Sequence, residues 1–87
     1  MVINSKWLLA LIDERGGMTK DEVKQACRTR DSSATSEEIR LARKRLHWNE
    51  MVILDASGCG PGKYMLTDYG REALVMNDKT FKRALVK

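Results

Sequence analysis

Lys63-Tyr-Met-Leu-Thr-Asp-Tyr-Gly-Arg-Glu-Ala-Leu74 is the segment that constrains the fold most. Its first four residues, 63–66, form a short run of strand length. Thr67 follows, a residue type whose hydroxyl caps the first turn of a helix, and Asp68 supplies the negative charge that a helix start favours. The segment therefore predicts a strand that passes directly into a helix.

A second short apolar run, Met51 to Leu54, precedes this segment. The residues between the two runs, 55–62, include three of the six glycines and the only proline, which marks a loop. Two strand-length runs joined by such a loop predict an antiparallel hairpin. We expect two strands and a long tip without a cation, where Cys59 stands between glycines.

Three helices are predicted before the hairpin, over residues 5–15, 19 to about 30, and 35–48. Gly16 and Gly17 end the first, because glycine adopts the left-handed conformation that closes a helix. The second and third each begin with a capping box, in which a threonine and a glutamate three residues later satisfy free amides of the first turn. The two boxes are Thr19 with Glu22 and Thr35 with Glu38.

The C-terminal residues 77–87 have Phe81, Ala84 and Leu85 at helical spacing beside several cations. Either the fourth helix continues through them or a new helix starts after Asn77. The segment is amphipathic enough to pack on a second copy of the chain, so Phe81 and Leu85 are candidates for a homodimer contact. The alternative is a basic tail that adds general affinity for phosphate.

Composition indicates one small globular domain. The chain has 87 residues, of which 43% are hydrophobic and 32% charged, which is too apolar for a disordered chain. No apolar run approaches the roughly 20 residues of a bilayer span, and no signal peptide opens the sequence. We therefore expect a cytoplasmic protein without a membrane partner.

Residue types suited to catalysis or metal binding are sparse. Cys27, Cys59 and the single histidine, His47, are spread too widely for a zinc site, which needs about four ligands at characteristic spacing. Nucleophile signatures and phosphate-binding loops are missing from the sequence. We expect no metal, no cofactor and no enzymatic activity, and we expect Cys27 to lie in the core.

Three helices, a glycine-rich hairpin and a capped C-terminal helix follow one another in the order of a winged helix-turn-helix domain. The segment Leu66-Thr67-x-x-Gly70-Arg71 also resembles the Leu-Thr-x-x-Gly-Arg/Lys motif of winged-helix regulators of the multidrug-resistance and phenolic-acid-regulator type. The resemblance covers residues 5–75 and implies one mostly helical α+β domain over residues 1–87. The turn glycine usual after the third helix is replaced by Asn49-Glu50, and asparagine tolerates the left-handed conformation.

The resemblance implies that the third helix enters the major groove of duplex DNA, as in a small transcriptional regulator. Helical geometry places Ile39, Ala42 and Leu46 on the core side. We expect Arg43 to pack its stem at the core boundary and to expose its guanidinium. The candidate DNA contacts are hydroxyls and cations at the helix start, on its outer side and at the hairpin base: Thr35, Ser36, Arg40, Arg43, Lys44 and Lys63.

Two apolar residues on the same helix favour a different partner. Leu41 and Trp48 are seven residues apart and lie on the side away from the core. Leu41 either meets a thymine methyl or marks a protein-facing surface, and Trp48 either stays exposed or folds back on the hairpin. The alternative function is therefore a protein-interaction module, such as an adaptor or inhibitor in a replication, repair or transcription complex. Its candidate interface residues are Leu41, Trp48, Phe81 and Leu85.

Overall fold

A computed structural model describes residues 3–58 and 60–86, so Cys59 at the hairpin tip lies outside the described residues. This part of the chain forms an α+β fold of five helices and one three-stranded antiparallel sheet. The elements in chain order are α1 Ser5–Glu14, β1 Met18–Thr19, α2 Lys20–Arg30, α3 Ser36–Trp48, β2 Val52–Asp55, β3 Lys63–Leu66, α4 Asp68–Leu74 and α5 Asp78–Ala84.

Local capping signals explain where the helices begin. Both predicted capping boxes are present, with the Thr19 and Thr35 hydroxyls accepting from the amides of Glu22 and Glu38 at 3.2 and 3.1 Å. The Thr67 hydroxyl accepts from the Gly70 amide at the start of α4. A new helix does start after Asn77, whose side chain accepts from the Thr80 amide.

The sheet has one strand more than the sequence predicts. Met18 and Thr19 pair with Tyr64 and Lys63, which places β3 between β1 and β2. The prediction of a two-stranded hairpin is therefore incomplete. A two-residue strand is too short to show alternation, and it exists only because the tight turn at Gly16 and Gly17 returns the chain alongside β3.

The core lies between α1, α2, α3 and the inner face of the sheet, and it includes Ala73 of α4 and Phe81 of α5. As predicted, Ile39, Ala42 and Leu46 face it from α3, and Cys27 is fully buried in α2. Burial raises the pKa of the Cys27 thiol, which keeps the sulfur protonated and unreactive at neutral pH. The largest fully buried side chains are Leu8, Leu9, Ile12, Met18, Leu46 and Met51.

The turn after α3 corrects one expectation. Asn49 has φ −91°, and the left-handed residue is Glu50, with φ 62°. The amides of Glu50 and Met51 donate to the carbonyls of His47 and Leu46, each at 3.0 Å, which is the Schellman pattern of a helix C-terminus. Asn49 is buried, and its side-chain amide donates to the Arg45 carbonyl at 2.7 Å.

The Leu-Thr-x-x-Gly motif joins α4 to this turn. The Thr67 hydroxyl donates to the Glu50 carbonyl, and the Thr67 amide donates to the Met51 carbonyl at 3.0 Å. A Cβ atom added at Gly70 would lie 2.0 Å from the same Met51 oxygen. Glycine is therefore required at this position because α4 touches the backbone of the turn.

The C-terminal helix belongs to the same domain. Phe81 is 3% exposed and belongs to the hydrophobic core, and Leu85 is half-buried against that core. The prediction that Phe81 contacts a second copy is wrong, because the aromatic ring is already covered by its own chain. No helix in the described residues is long and apolar enough to cross a membrane.

Candidate functional site

Helix α3 packs on α1, α2 and β2, and its opposite side is exposed. Ile39 on the core side is 3% exposed. Leu41 and Trp48 on the outer side are 42% and 47% exposed. The outer side of α3 is therefore available for contact with another molecule. It carries two of the predicted cations, Arg40 and Lys44, and it also carries apolar and acidic side chains.

The start of α3 presents hydroxyl groups that already have partners. The Thr35 hydroxyl is held in its capping box, and the backbone amide of Thr35, together with that hydroxyl, lowers the pKa of Glu38. The Ser36 hydroxyl accepts from the Arg28 guanidinium at 3.0 Å. Thr35 and Ser36 both remain exposed. Because Arg28 is bonded to Ser36, the three residues form an exposed polar cluster at this end of the helix.

Arg40 and Lys44 are the cations that α3 offers on its outer side. Arg40 is exposed and pairs with Glu37 at 3.0 Å, one turn earlier. Such an exposed pair is worth at most about 1 kcal/mol, so a phosphate can replace Glu37 at little cost. Lys44 is half-buried. Around the helix it lies between Arg40 and Trp48.

Arg43 differs from its predicted position. Its side chain is 6% exposed, its guanidinium donates to the Tyr64 hydroxyl, and the guanidinium carbon lies 5.2 Å from the centre of the Tyr64 ring. The prediction of an exposed guanidinium is wrong, because the hydroxyl and the ring of Tyr64 hold it between α3 and β3. Arg43 therefore fixes the hairpin on α3 and is not accessible to a ligand.

Lys63 lies on the exposed part of β3, in register with Asp55 on one side and Thr19 on the other. The hydroxyl and the amide of Ser57 donate to Asp55 at 2.6 and 3.0 Å and lower the pKa of that carboxyl. Asp55 is thus ionised at neutral pH beside Lys63. The positive potential at the base of the hairpin is correspondingly weak.

A shallow groove of about 620 Å³ lies between the end of α3, strand β2 and the start of α4. Trp48 lines it beside Val52 and Ile53 of β2, so the indole lies next to the hairpin and still remains 47% exposed. Ile53 and Tyr69, which also line the groove, are 52% and 38% exposed. Two carboxylates, Glu50 and Asp68, complete its charged lining.

Sequence reasoning missed the contribution of β2 and α4 to this groove. A four-residue strand with three consecutive apolar residues, Val52 to Leu54, is typical of a buried strand. In the fold it is an edge strand, and only Val52 is buried. The available signal was the continuous apolar run in a short chain. Consecutive strand residues point to opposite faces of a sheet, and a chain of 87 residues offers little to cover the second face, so at least one of the three had to be exposed.

Metal binding finds no support in the described residues, since they contain no group of three or more His, Cys, Asp or Glu side chains placed to hold an ion.

The candidate site is the outer side of α3, with the Arg28–Ser36 cluster at one end and the groove at the other. A comparison with family models, curated proteins and solved structures found no match to this chain.

Proposed function

We propose that this chain is a winged-helix DNA-binding protein that works in the cytoplasm as a small transcriptional regulator. The order of elements supports the proposal, because three helices precede the β2–β3 hairpin and a capped helix follows it, which is the order in a winged helix-turn-helix domain. Helix α3 is then the recognition helix. Fold alone does not specify a ligand, so the side chains of α3 must supply the argument.

The observation that carries the proposal is the accessible first half of α3. Ser36 and Arg28 lie together at its start, and Arg40 follows one turn later on the exposed side. A hydroxyl and two guanidinium groups at a helix N-terminus match the contacts that position a recognition helix on phosphates and guanine edges. Lys44 on α3 and the exposed Lys63 on β3 are two further cations that a nucleic acid could contact.

The test is a titration of the protein with random and selected duplexes at two salt concentrations. We expect Arg40→Ala and Lys44→Ala each to weaken binding and to reduce the slope of log K against log salt by about one. Lys79→Ala removes the same charge from the exposed surface of α5 and serves as the matched control. Absence of binding at low salt, or equal losses in all three variants, would exclude recognition by α3.

A second function, a protein-interaction module, is favoured by Leu41. Its side chain is 42% exposed in the middle of the outer side of α3, where a phosphate backbone would meet an apolar surface. Leu41→Glu should abolish capture of a protein partner and leave duplex affinity within about twofold if the outer side of α3 serves proteins. A parallel loss of duplex affinity would instead place Leu41 against DNA, for example at a thymine methyl group.

A further inference from the structure

The groove between α3, β2 and α4 has an apolar floor that its own chain leaves exposed. Trp48, Ile53 and Tyr69 line it together, with 47%, 52% and 38% of their surfaces accessible. Exposed single apolar residues are common, but an aromatic pair beside an exposed aliphatic residue of a strand is the composition of a binding surface.

One wall of the groove is formed by β2, an edge strand of the sheet, through Val52 and Ile53. The strand order is β1-β3-β2, so β2 pairs with β3 on one side and has no partner strand on the other within residues 3–58 and 60–86. A free strand edge offers backbone N–H and C=O groups to an added strand. The ligand that fits this wall is therefore an extended peptide segment, whose alternate side chains would meet Ile53 and its apolar neighbours.

The charge of the groove selects among such segments. Glu50 and Asp68 are the charged residues among the described lining residues, and both are exposed. Asp68 also contacts Arg71 at 3.4 Å, in an ion pair whose side chains are at least 65% exposed and which therefore competes weakly. Residues 50–58 contain no lysine or arginine, so a second copy docked symmetrically through β2 would bring no cation to these carboxylates, which disfavours a homodimer at this edge.

We propose that this groove binds an extended, basic segment of a partner protein, which adds a strand to β2 and places lysine or arginine side chains against Glu50 and Asp68. Leu41 is not among the residues that line the groove, so the inference adds a protein-binding surface to the one proposed around Leu41, and it does not depend on DNA binding by α3. A regulator with both surfaces would hold duplex DNA on the first half of α3 and a protein beside its last turn.

The test uses two acetylated peptides of about seven residues, one alternating lysine with valine and the other glutamate with valine. We expect the lysine peptide to shift the amide NMR signals of Ile53 and Leu54 and the indole signal of Trp48. The glutamate peptide should bind at least about tenfold more weakly. Replacing the two groove carboxylates with amides, in the double variant Glu50→Gln and Asp68→Asn, should remove most of that difference.

The matched pair of variants is Ile53→Lys in the groove and Val75→Lys at the end of α4, where the valine is 88% exposed. Ile53→Lys should weaken the lysine peptide by at least about tenfold, whereas Val75→Lys should not. Equal affinity for the two peptides, or signal shifts that map elsewhere, would overturn the proposal. So would a free protein that sediments as a dimer with its β2 amides protected, because the occupant would then be a second copy. A duplex titration of the parent protein and of Ile53→Lys tests DNA binding separately. Failure of the peptide proposal leaves duplex binding by the parent unchanged, and failure of DNA binding leaves the peptide results unchanged.

Discussion

At the scale of single residues, the buried Arg43 shows how one contact removes a cation from the candidate DNA surface. Its guanidinium donates to the Tyr64 hydroxyl, a partner 21 residues away on β3. A buried charge that loses a hydrogen-bond acceptor pays the desolvation cost without compensation. Arg43 and Tyr64 therefore form a structural pair, and their replacement should change stability before it changes binding.

Tyr64→Phe removes only the hydroxyl that accepts from Arg43. We expect the free energy of unfolding, measured in urea, to fall by about 1–3 kcal/mol. Tyr69→Phe removes the same atom from a ring that is 38% exposed, and it should stay within about 0.5 kcal/mol of the parent. Equal effects in the two variants would show that the Arg43 contact contributes nothing.

Glu50 is a non-glycine residue in the left-handed conformation, and its replacement should stabilise the fold. The Schellman turn after α1 has the same hydrogen bonds, with Gly16 at φ 67° in the equivalent place. Glu50→Gly should raise the free energy of unfolding by about 1 kcal/mol, because it relieves the Cβ clash. Gly16→Ala, the reverse change, should lower it by a similar amount in the same urea titration. A loss of stability in Glu50→Gly would contradict this account.

Gly70 explains why the Leu-Thr-x-x-Gly motif contains a glycine. Gly70→Ala places a methyl group 2.0 Å from the Met51 oxygen, so α4 must move away from the turn. We expect a loss of about 3 kcal/mol in thermal or urea unfolding. Gly58→Ala is the control, because nothing lies within 4 Å of an added Cβ there. If Gly70→Ala unfolds like the control, the close approach of α4 does not exist in solution.

At the scale of elements, the capping boxes link helix stability to pH. In each box the threonine amide donates to the glutamate carboxylate, and the threonine hydroxyl accepts from the glutamate amide. These hydrogen bonds with Thr19 and Thr35 hold the pKa values of Glu22 and Glu38 below the ordinary value of 4.5. A carboxyl whose pKa is lower in the folded state stabilises the fold above its unfolded pKa. That contribution is lost as the pH falls through the folded pKa.

Acidification below about pH 4.5 should therefore lower the melting temperature. The double variant Glu22→Gln and Glu38→Gln should show a shallower decrease between pH 5 and pH 3, because two of the titrating groups are gone. Circular dichroism melts at several pH values measure both slopes. Identical slopes in variant and parent would mean that the boxes do not titrate with folding.

Element boundaries were predictable where the signal is local. The boxes at Thr19 and Thr35, the stop at Gly16 and the cap at Thr67 each depend on residues within one helical turn, and all are present. Strand β1 was missed because its existence depends on β3, far away in the sequence. Sequence spacing carries no information about such a partner.

The candidate site was predictable to the same limit. Helical periodicity alone placed Leu41 and Trp48 on an exposed side, because exposure around one helix follows from its core-facing residues. The burial of Arg43 required knowledge of where Tyr64 lies. The exposure of Ile53 required knowledge of which face of the sheet the core covers, since the side chains of a strand alternate between the two faces.

At the scale of the whole molecule, α5 contributes Phe81 to the core of the domain. A chain of this size has a total stability of roughly 5–10 kcal/mol, so one aromatic anchor is a large fraction of it. Phe81 is that anchor, since it is 3% exposed and belongs to the core. The Arg45 guanidinium, which donates to the Leu85 carbonyl at 3.4 Å, adds a second link between α3 and the C-terminal end.

Phe81→Ala should therefore lower the free energy of unfolding by about 3–5 kcal/mol without changing the sedimentation coefficient of the molecules that remain folded. Val75→Ala, at a position 88% exposed, should change stability by less than about 0.5 kcal/mol. A parent protein that is dimeric and a Phe81→Ala variant that is a stable monomer would restore the homodimer hypothesis.

The contact between the two ends of the described chain has a practical consequence for handling this protein. Ile3 to Lys6 line one cavity with Phe81 and Leu85, and the Lys6 ammonium donates to the Met76 carbonyl and contacts Asp78. None of these residues lines the groove beside β2. Ile3 and Leu85 line the same cavity, so a purification tag or fluorescent reporter attached through either segment should emerge on the same side of the molecule and outside the groove. A short linker joining Ile3 to Leu85 would likewise permit a circular permutant opened between β2 and β3.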